Sequence, residues 1–167
     1  MIVIRYCKIV LVATVALFFS LVAFGNVTDY ESNWLFVQHV LSMDTIFPDS
    51  TLKWRAITSP AIQAFAYWAI IAWEIATAVV LWVGTARLLG AAGGEGFAAA
   101  RPVAVVGLSM GFVLYAVGFV AVGGEWLAMW QSETWNGESK AFEFLTLISA
   151  VLIILLIEPE PRQGERA

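Results

Sequence analysis

Charge is scarce in this 167-residue chain: charged residues make up 13% and hydrophobic residues 60%. Soluble domains carry about 25% charged and about 45–50% apolar residues, even with glycine counted among the latter. So little polar surface cannot coat a water-soluble globule, which excludes a cytosolic enzyme. Nine Lys and Arg against thirteen Asp and Glu cannot build the basic face that nucleic acid requires. A single cysteine, Cys7, excludes an intrachain disulfide and a Cys-x-x-Cys redox or zinc motif. A single histidine, His39, excludes a haem held between two histidines of this chain. No Walker loop or dinucleotide glycine motif is present, and Gly107-Leu-Ser-Met-Gly111, although it spells Gly-x-Ser-x-Gly, lies within a continuous apolar run rather than at the strand-to-helix turn of a nucleophile elbow. No catalytic residue, cofactor or metal site is assigned, and a non-enzymatic protein is expected.

What is present is hydrocarbon. About 20 apolar residues span a bilayer core of roughly 30 Å, and four runs approach that length: residues 9–25, 60–83, 103–122 and 141–157. The runs are continuous rather than alternating, which favours helices over a barrel. The chain reads as one all-α transmembrane domain, a four-helix bundle spanning residues 1–167. Ser59-Pro60 and Arg101-Pro102 resemble helix starts. Gly25, Gly84 and Gly123-Gly124 stand where glycine closes helices, and Glu158-Pro159-Glu160-Pro161 ends the fourth span. Arg5, Lys8 and the first run also imitate a signal peptide, but the run exceeds the 7–15 residues of a signal core. It is therefore read as a retained span.

Basic residues set the orientation. Arg5, Lys8, Arg87, Arg101, Arg162 and Arg166 fall on one side, and Lys53, Arg55 and Lys140 on the other. Both termini are expected in the cytoplasm, with two acidic, aromatic loops outside. The loop over residues 26–59 carries a short helix-like run from Trp34 to Leu41, and the loop over 123–140 carries Trp126, Trp130 and Trp135. Together they form a tryptophan-rich outer cap. Its indoles act either as an interfacial belt or as a recognition surface. The inner loop, 84–101, reads as a Gly/Ala connector. Leu21-Val-Ala-Phe-Gly25 and Phe119-Val-Ala-Val-Gly123 form a faint parallel duplication.

Glu74 is the one charge inside the second span. At about 1.5 Å per residue it lies about 21 Å beyond Pro60. Gln63, Tyr67, Glu74 and Thr77 share one helical stripe, and that stripe must face other helices because lipid offers no hydrogen bonds. Glu74 then serves either as a proton or cation acceptor or as an interhelical lock bonded to Ser109 or Tyr115. Gly107-Leu-Ser-Met-Gly111, with Gly118 beyond it, allows close helix packing, within the chain or against another subunit. His39 with the acidic loop residues lacks metal-ligand spacing.

The run Gly123-Gly-Glu-Trp-Leu-Ala-Met-Trp-Gln-Ser-Glu-Thr-Trp-Asn-Gly137, together with Trp73-Glu74 and the 26–49 loop, resembles a proteobacterial family of predicted small integral membrane proteins, a domain of unknown function. The resemblance implies a bacterial inner-membrane protein with four spans and no transferable activity. It directs attention to Glu125, Trp126, Trp130, Gln131, Trp135 and Asn136, with Trp34 from the other outer loop. The leading expectation is an accessory or scaffold subunit that contacts membrane lipid and other membrane subunits. The alternatives are a small transporter or proton conductor using Glu74, and a binding protein for a quinone or lipid-like ligand.

Overall fold

The computed structural model describes residues 2–157. The chain forms α1 (Ile2–Thr28), α2 (Tyr30–Ser42), α3 (Pro60–Gly90), α4 (Phe97–Trp126) and α5 (Glu138–Leu156), with no strand among the described residues. All but α2 are long and apolar enough to cross a membrane. In α4 the backbone is α-helical to Val113 and continues as a π-helix over Leu114–Trp126.

The interior is built at helical spacing. Val12, Val15, Ala16 and Phe19 of α1 meet Ala78, Leu81 and Leu88 of α3, Ala104 and Leu108 of α4, and Ile148, Val151 and Leu155 of α5. Large apolar residues also cover the outer faces, among them Phe65 and Ile62 on α3 and Ile153 on α5. An apolar exterior is what contact with lipid demands of membrane-embedded helices. Indoles tie the bundle at its outer surface: Trp73 Nε1 donates to the Met110 carbonyl at 3.0 Å, and Trp82 Nε1 to Ser20 Oγ at 3.0 Å.

Small residues decide how closely α3 and α4 approach. A Cβ added at Gly84 would stand 2.7 Å from the Ala104 Cα, and one at Gly107 would stand 2.8 Å from the Leu81 side chain. Gly111 performs the same service toward α1, where a Cβ would meet the Phe19 ring at 2.7 Å. These contacts lie within one chain. Gly118 departs from the expected helix-packing role. It is exposed, and a Cβ there would meet only Leu114 of its own helix, at 3.9 Å.

The helices overrun the boundaries expected from punctuation. Gly25, Gly84 and Gly123-Gly124 lie inside helices rather than beyond their ends, because packing and continuing backbone bonds outweigh a cost of about 1 kcal/mol per glycine. Much of the supposed inner connector is helix: α3 runs to Gly90 with Leu88 fully buried, and α4 begins at Phe97, so Pro102 lies within it. The two supposedly duplicated segments differ, residues 21–25 being α-helical and 119–123 π-helical. The Glu158–Pro161 stop, Arg162 and Arg166 lie outside the described residues.

At the end of the bundle that holds the start of α1 and the end of α5, the Arg5 guanidinium donates to the Ala92 carbonyl at 2.9 Å and the Gly94 carbonyl at 2.6 Å. Lys8 Nζ donates to the carbonyls of Leu155 and Ile157, and Arg101 also reaches Leu155. Cations thus meet the carbonyl end of α5, the favourable pole of its dipole.

Gly84→Val should lower stability by about 1–3 kcal/mol, since the α4 backbone cannot yield as a side chain would. Gly118→Val should stay within about 0.5 kcal/mol. Reversible unfolding in mixed micelles checks both, and equal losses would contradict the packing described.

Candidate functional site

Glu74 is buried at 3% exposure, and its Oε2 accepts a 2.7 Å hydrogen bond from Asn26 Nδ2. Asn26 comes from α1, one helical step beyond Phe19 and Ala23 on that helix's buried stripe. Among the described residues, no Lys, Arg or His lies within ion-pair distance of the carboxyl group. Its partner is therefore Asn26 rather than Ser109 or Tyr115, although the Tyr115 ring lies nearby on the wall of the same cavity.

The other members of the stripe are also buried, and each has its own bond. Tyr67 directs its hydroxyl to the carbonyls of Asn26, at 3.4 Å, and Tyr30, at 3.3 Å. Gln63 Nε2 donates to Ser42 Oγ at 2.9 Å and the Ile57 carbonyl at 2.7 Å, fastening the end of α2 and the segment after it to α3. Thr77 bonds back to the Trp73 carbonyl on its own helix at 2.7 Å. The stripe thus joins α3 to α1 and to the α2 region by polar bonds in a low-dielectric setting, where an unpaired group is costly.

Glu74 and Asn26 also line a cavity of about 600 Å³ between α1, α2, α3, the π-helical part of α4, and α5. Aromatic rings form much of its wall: Phe36, Tyr115, Phe119, Trp135 and Phe144. The π-helical backbone presents Tyr115 and Phe119 with ring centroids 5.4 Å apart. Such widened helical turns are rare and often accompany functional sites. The exposed residues Ser32, Asn33, Thr134, Asn136 and Lys140 give one side of the cavity a polar margin. Lys140 is engaged outward, with Nζ 2.8 Å from Glu143 Oε2. Gly25 lies on the wall too, and a Cβ there would meet nothing within 4 Å. A second cavity of about 320 Å³ is lined almost wholly by apolar groups. It shares Phe36, Val37, Ile70 and Phe119 with the first, and Gly118 lies on its wall. The Phe36 and Phe119 rings are stacked 6.2 Å apart in that shared wall.

The outer-loop residues singled out from the sequence divide into groups. Trp135 and Asn136 line the first cavity, and Trp135 stacks on His39 at 4.7 Å. His39 Nδ1 in turn meets Asp44 at 2.9 Å. Trp34 stacks on Tyr30 and lies beside Tyr67, above the polar stripe. Gln131 is buried, with Oε1 lacking a hydrogen-bond partner. Trp126 and Trp130 are half-exposed and stand apart from the cavity. Trp126 lies under the Arg55 guanidinium, 4.5 Å from ring centre to Cζ, and Trp130 meets Phe47 edge-on. Glu125 is exposed. No group of three or more His, Cys, Asp or Glu suited to a metal occurs among the described residues.

Sequence reasoning placed Asn26 in the outer loop because Gly25 looked like a helix end. Its signal was the continuing spacing Phe19, Ala23, Asn26. The aromatic wall had no such signal, since its rings come from four separate elements.

Residues 4–158 match the family described as predicted small integral membrane protein (DUF2165). The chain belongs to that family. It is an integral membrane protein with four membrane-capable apolar helices. No curated protein and no solved structure matches it.

Asn26→Leu should cost about 1–3 kcal/mol by leaving the Glu74 carboxyl without its donor. Glu74→Gln keeps an acceptor for Asn26 and should cost less than half as much. Unfolding midpoints in mixed micelles decide this, and the reverse order would refute the bond's importance.

Proposed function

We propose that this family member is a non-enzymatic protein of the bacterial inner membrane that binds a small, partly apolar ligand in the cavity beside Glu74. The observation that carries this reading is the cavity itself. About 600 Å³ falls within the roughly 300–1,000 Å³ of small-molecule sites, which combine apolar and aromatic walls with a few placed polar groups. Aromatic rings, one buried carboxyl group and a polar margin fit that description. The outer loops, with Trp34 and Trp135 over the site and Trp126 and Trp130 at the surface, form a periplasmic cap in this reading. The gathering of Arg5, Lys8, Arg87 and Arg101 toward one side supports cytoplasmic termini.

The accessory-subunit reading rested partly on the small residues of α4. Gly107 and Gly111 face Leu81 and Phe19 of the same chain, which leaves that reading with the half-exposed Trp126 and Trp130. Transport through the bundle has less support. Below Glu74 the α3 interior continues as Thr77, Ala78, Leu81 and Leu88, and the hydroxyls of Thr77 and Thr85 bond to their own helix.

Dicyclohexylcarbodiimide, an apolar carboxyl reagent, should label Glu74 in membranes, with the adduct located by peptide mass spectrometry. Gly25→Leu, which fills open space in the cavity wall, should slow labelling several-fold without loss of folded protein. Glu74 that stays unlabelled, or labels at the same rate in both proteins, would overturn the ligand-site reading.

Orientation is checked separately in a Cys7→Ser background. An impermeant maleimide should label Asp49→Cys on intact spheroplasts, and Glu95→Cys only after permeabilisation. The opposite pattern would invert the topology.

A further inference from the structure

Deep in the cavity beside Glu74 polar groups are few, and a carboxyl oxygen is among them. One N–H of the Asn26 amide is engaged by Glu74 Oε2, and the Tyr67 hydroxyl by two backbone carbonyls. The Lys140 ammonium, at the margin, holds Glu143. Asn136 Oδ1 accepts the Glu138 backbone N–H at 3.0 Å. At depth there remain Glu74 Oε1, which no described residue bonds, and the hydroxyl of Tyr115, which accepts as readily as it donates. Around them stand the rings of Phe36, Phe119, Trp135 and Phe144. A carboxyl group set among aromatic rings, whose π-systems carry negative potential, is a setting that attracts a cation rather than an anion.

We infer that the ligand of this cavity is an organic ammonium compound, its cationic nitrogen set against Glu74 and the aromatic wall and its apolar part held by the same rings. This deepens the ligand-binding reading above and rests on it. A hydrated inorganic cation is a poorer match, because one carboxyl group with aromatic neighbours offers too few oxygen ligands to replace its water. A neutral acceptor such as a quinone draws nothing from the negative potential of aromatic rings.

The test compares two probes of one shape on the full chain in lipid nanodiscs: phenyltrimethylammonium and its uncharged carbon isostere, tert-butylbenzene. Binding is read by saturation-transfer NMR, with empty nanodiscs as the partition control. The wild-type chain should prefer the cation by about tenfold or more. Glu74→Gln should remove that preference while leaving the weak binding of the isostere in place. Phe144→Leu, which removes one ring and keeps the carboxyl group, should reduce the preference in part. Equal binding of the two probes by the wild type would overturn the ammonium inference and leave the cavity reading standing. Binding of neither would overturn both. The wild-type comparison needs no variant to fold.

Discussion

A carboxyl group set well inside a transmembrane helix needs a hydrogen-bond donor, and lipid supplies none. In this protein the donor is Asn26, and much of the bundle around the cavity is arranged about that bond. It joins α1 to α3. The Asn26 backbone carbonyl then receives Tyr67, which also bonds Tyr30 at the start of α2. One polar chain thereby fixes the end of α1, the beginning of α2 and one face of α3, and it leaves the cavity open beside it. Polar bonds between membrane helices are individually modest, roughly 0.6–2 kcal/mol. Several in series can set the mutual register of helices whose remaining contacts are interchangeable apolar ones.

The inner half is held differently. There Gly84 against Ala104, Gly107 against Leu81 and Gly111 against Phe19 permit close backbone approach, and dispersion contacts between apolar side chains join the Trp82–Ser20 bond and the contacts of Arg5, Lys8 and Arg101 with backbone carbonyls. The two halves therefore have different character: a tightly packed apolar base below and a polar, aromatic-walled chamber above. The change occurs along α4, where the α-helical segment holding Gly107 and Gly111 gives way to the π-helical segment bearing Tyr115 and Phe119.

Four membrane helices were legible in the sequence because continuous apolar length is a coarse signal that tertiary contacts rarely disguise. The buried stripe of α3 was legible for a related reason: Gln63, Tyr67, Glu74 and Thr77 are polar exceptions in an apolar run, and their spacing leaves one shared face. Helix ends were less legible. Gly25 and Gly84 looked like terminators, yet one lies on a cavity wall and the other at a helix crossing, and only the fold distinguishes those settings from a cap. The error at Gly25 hid Asn26, and with it the partner of Glu74. The π-helical segment carries no readable mark, because an apolar run such as Leu114–Val122 satisfies either backbone pitch. The ring wall was hidden for a topological reason: Phe36, Phe119, Trp135 and Phe144 are distant in sequence and converge only when α2, α4 and α5 assemble.

The bond between Asn26 and Glu74 can be measured directly. Solid-state NMR of the full chain in lipid, with ¹⁵N in the Asn side-chain amides and ¹³C in the Glu side-chain carboxyls, reports nitrogen–carbon dipolar coupling. An Nδ2–Oε2 separation of 2.7 Å predicts a strong cross-peak between the Asn26 amide and the Glu74 carboxyl carbon, lost in Asn26→Leu. A Glu74 carboxyl with no coupling to Asn26 would contradict the account at its centre.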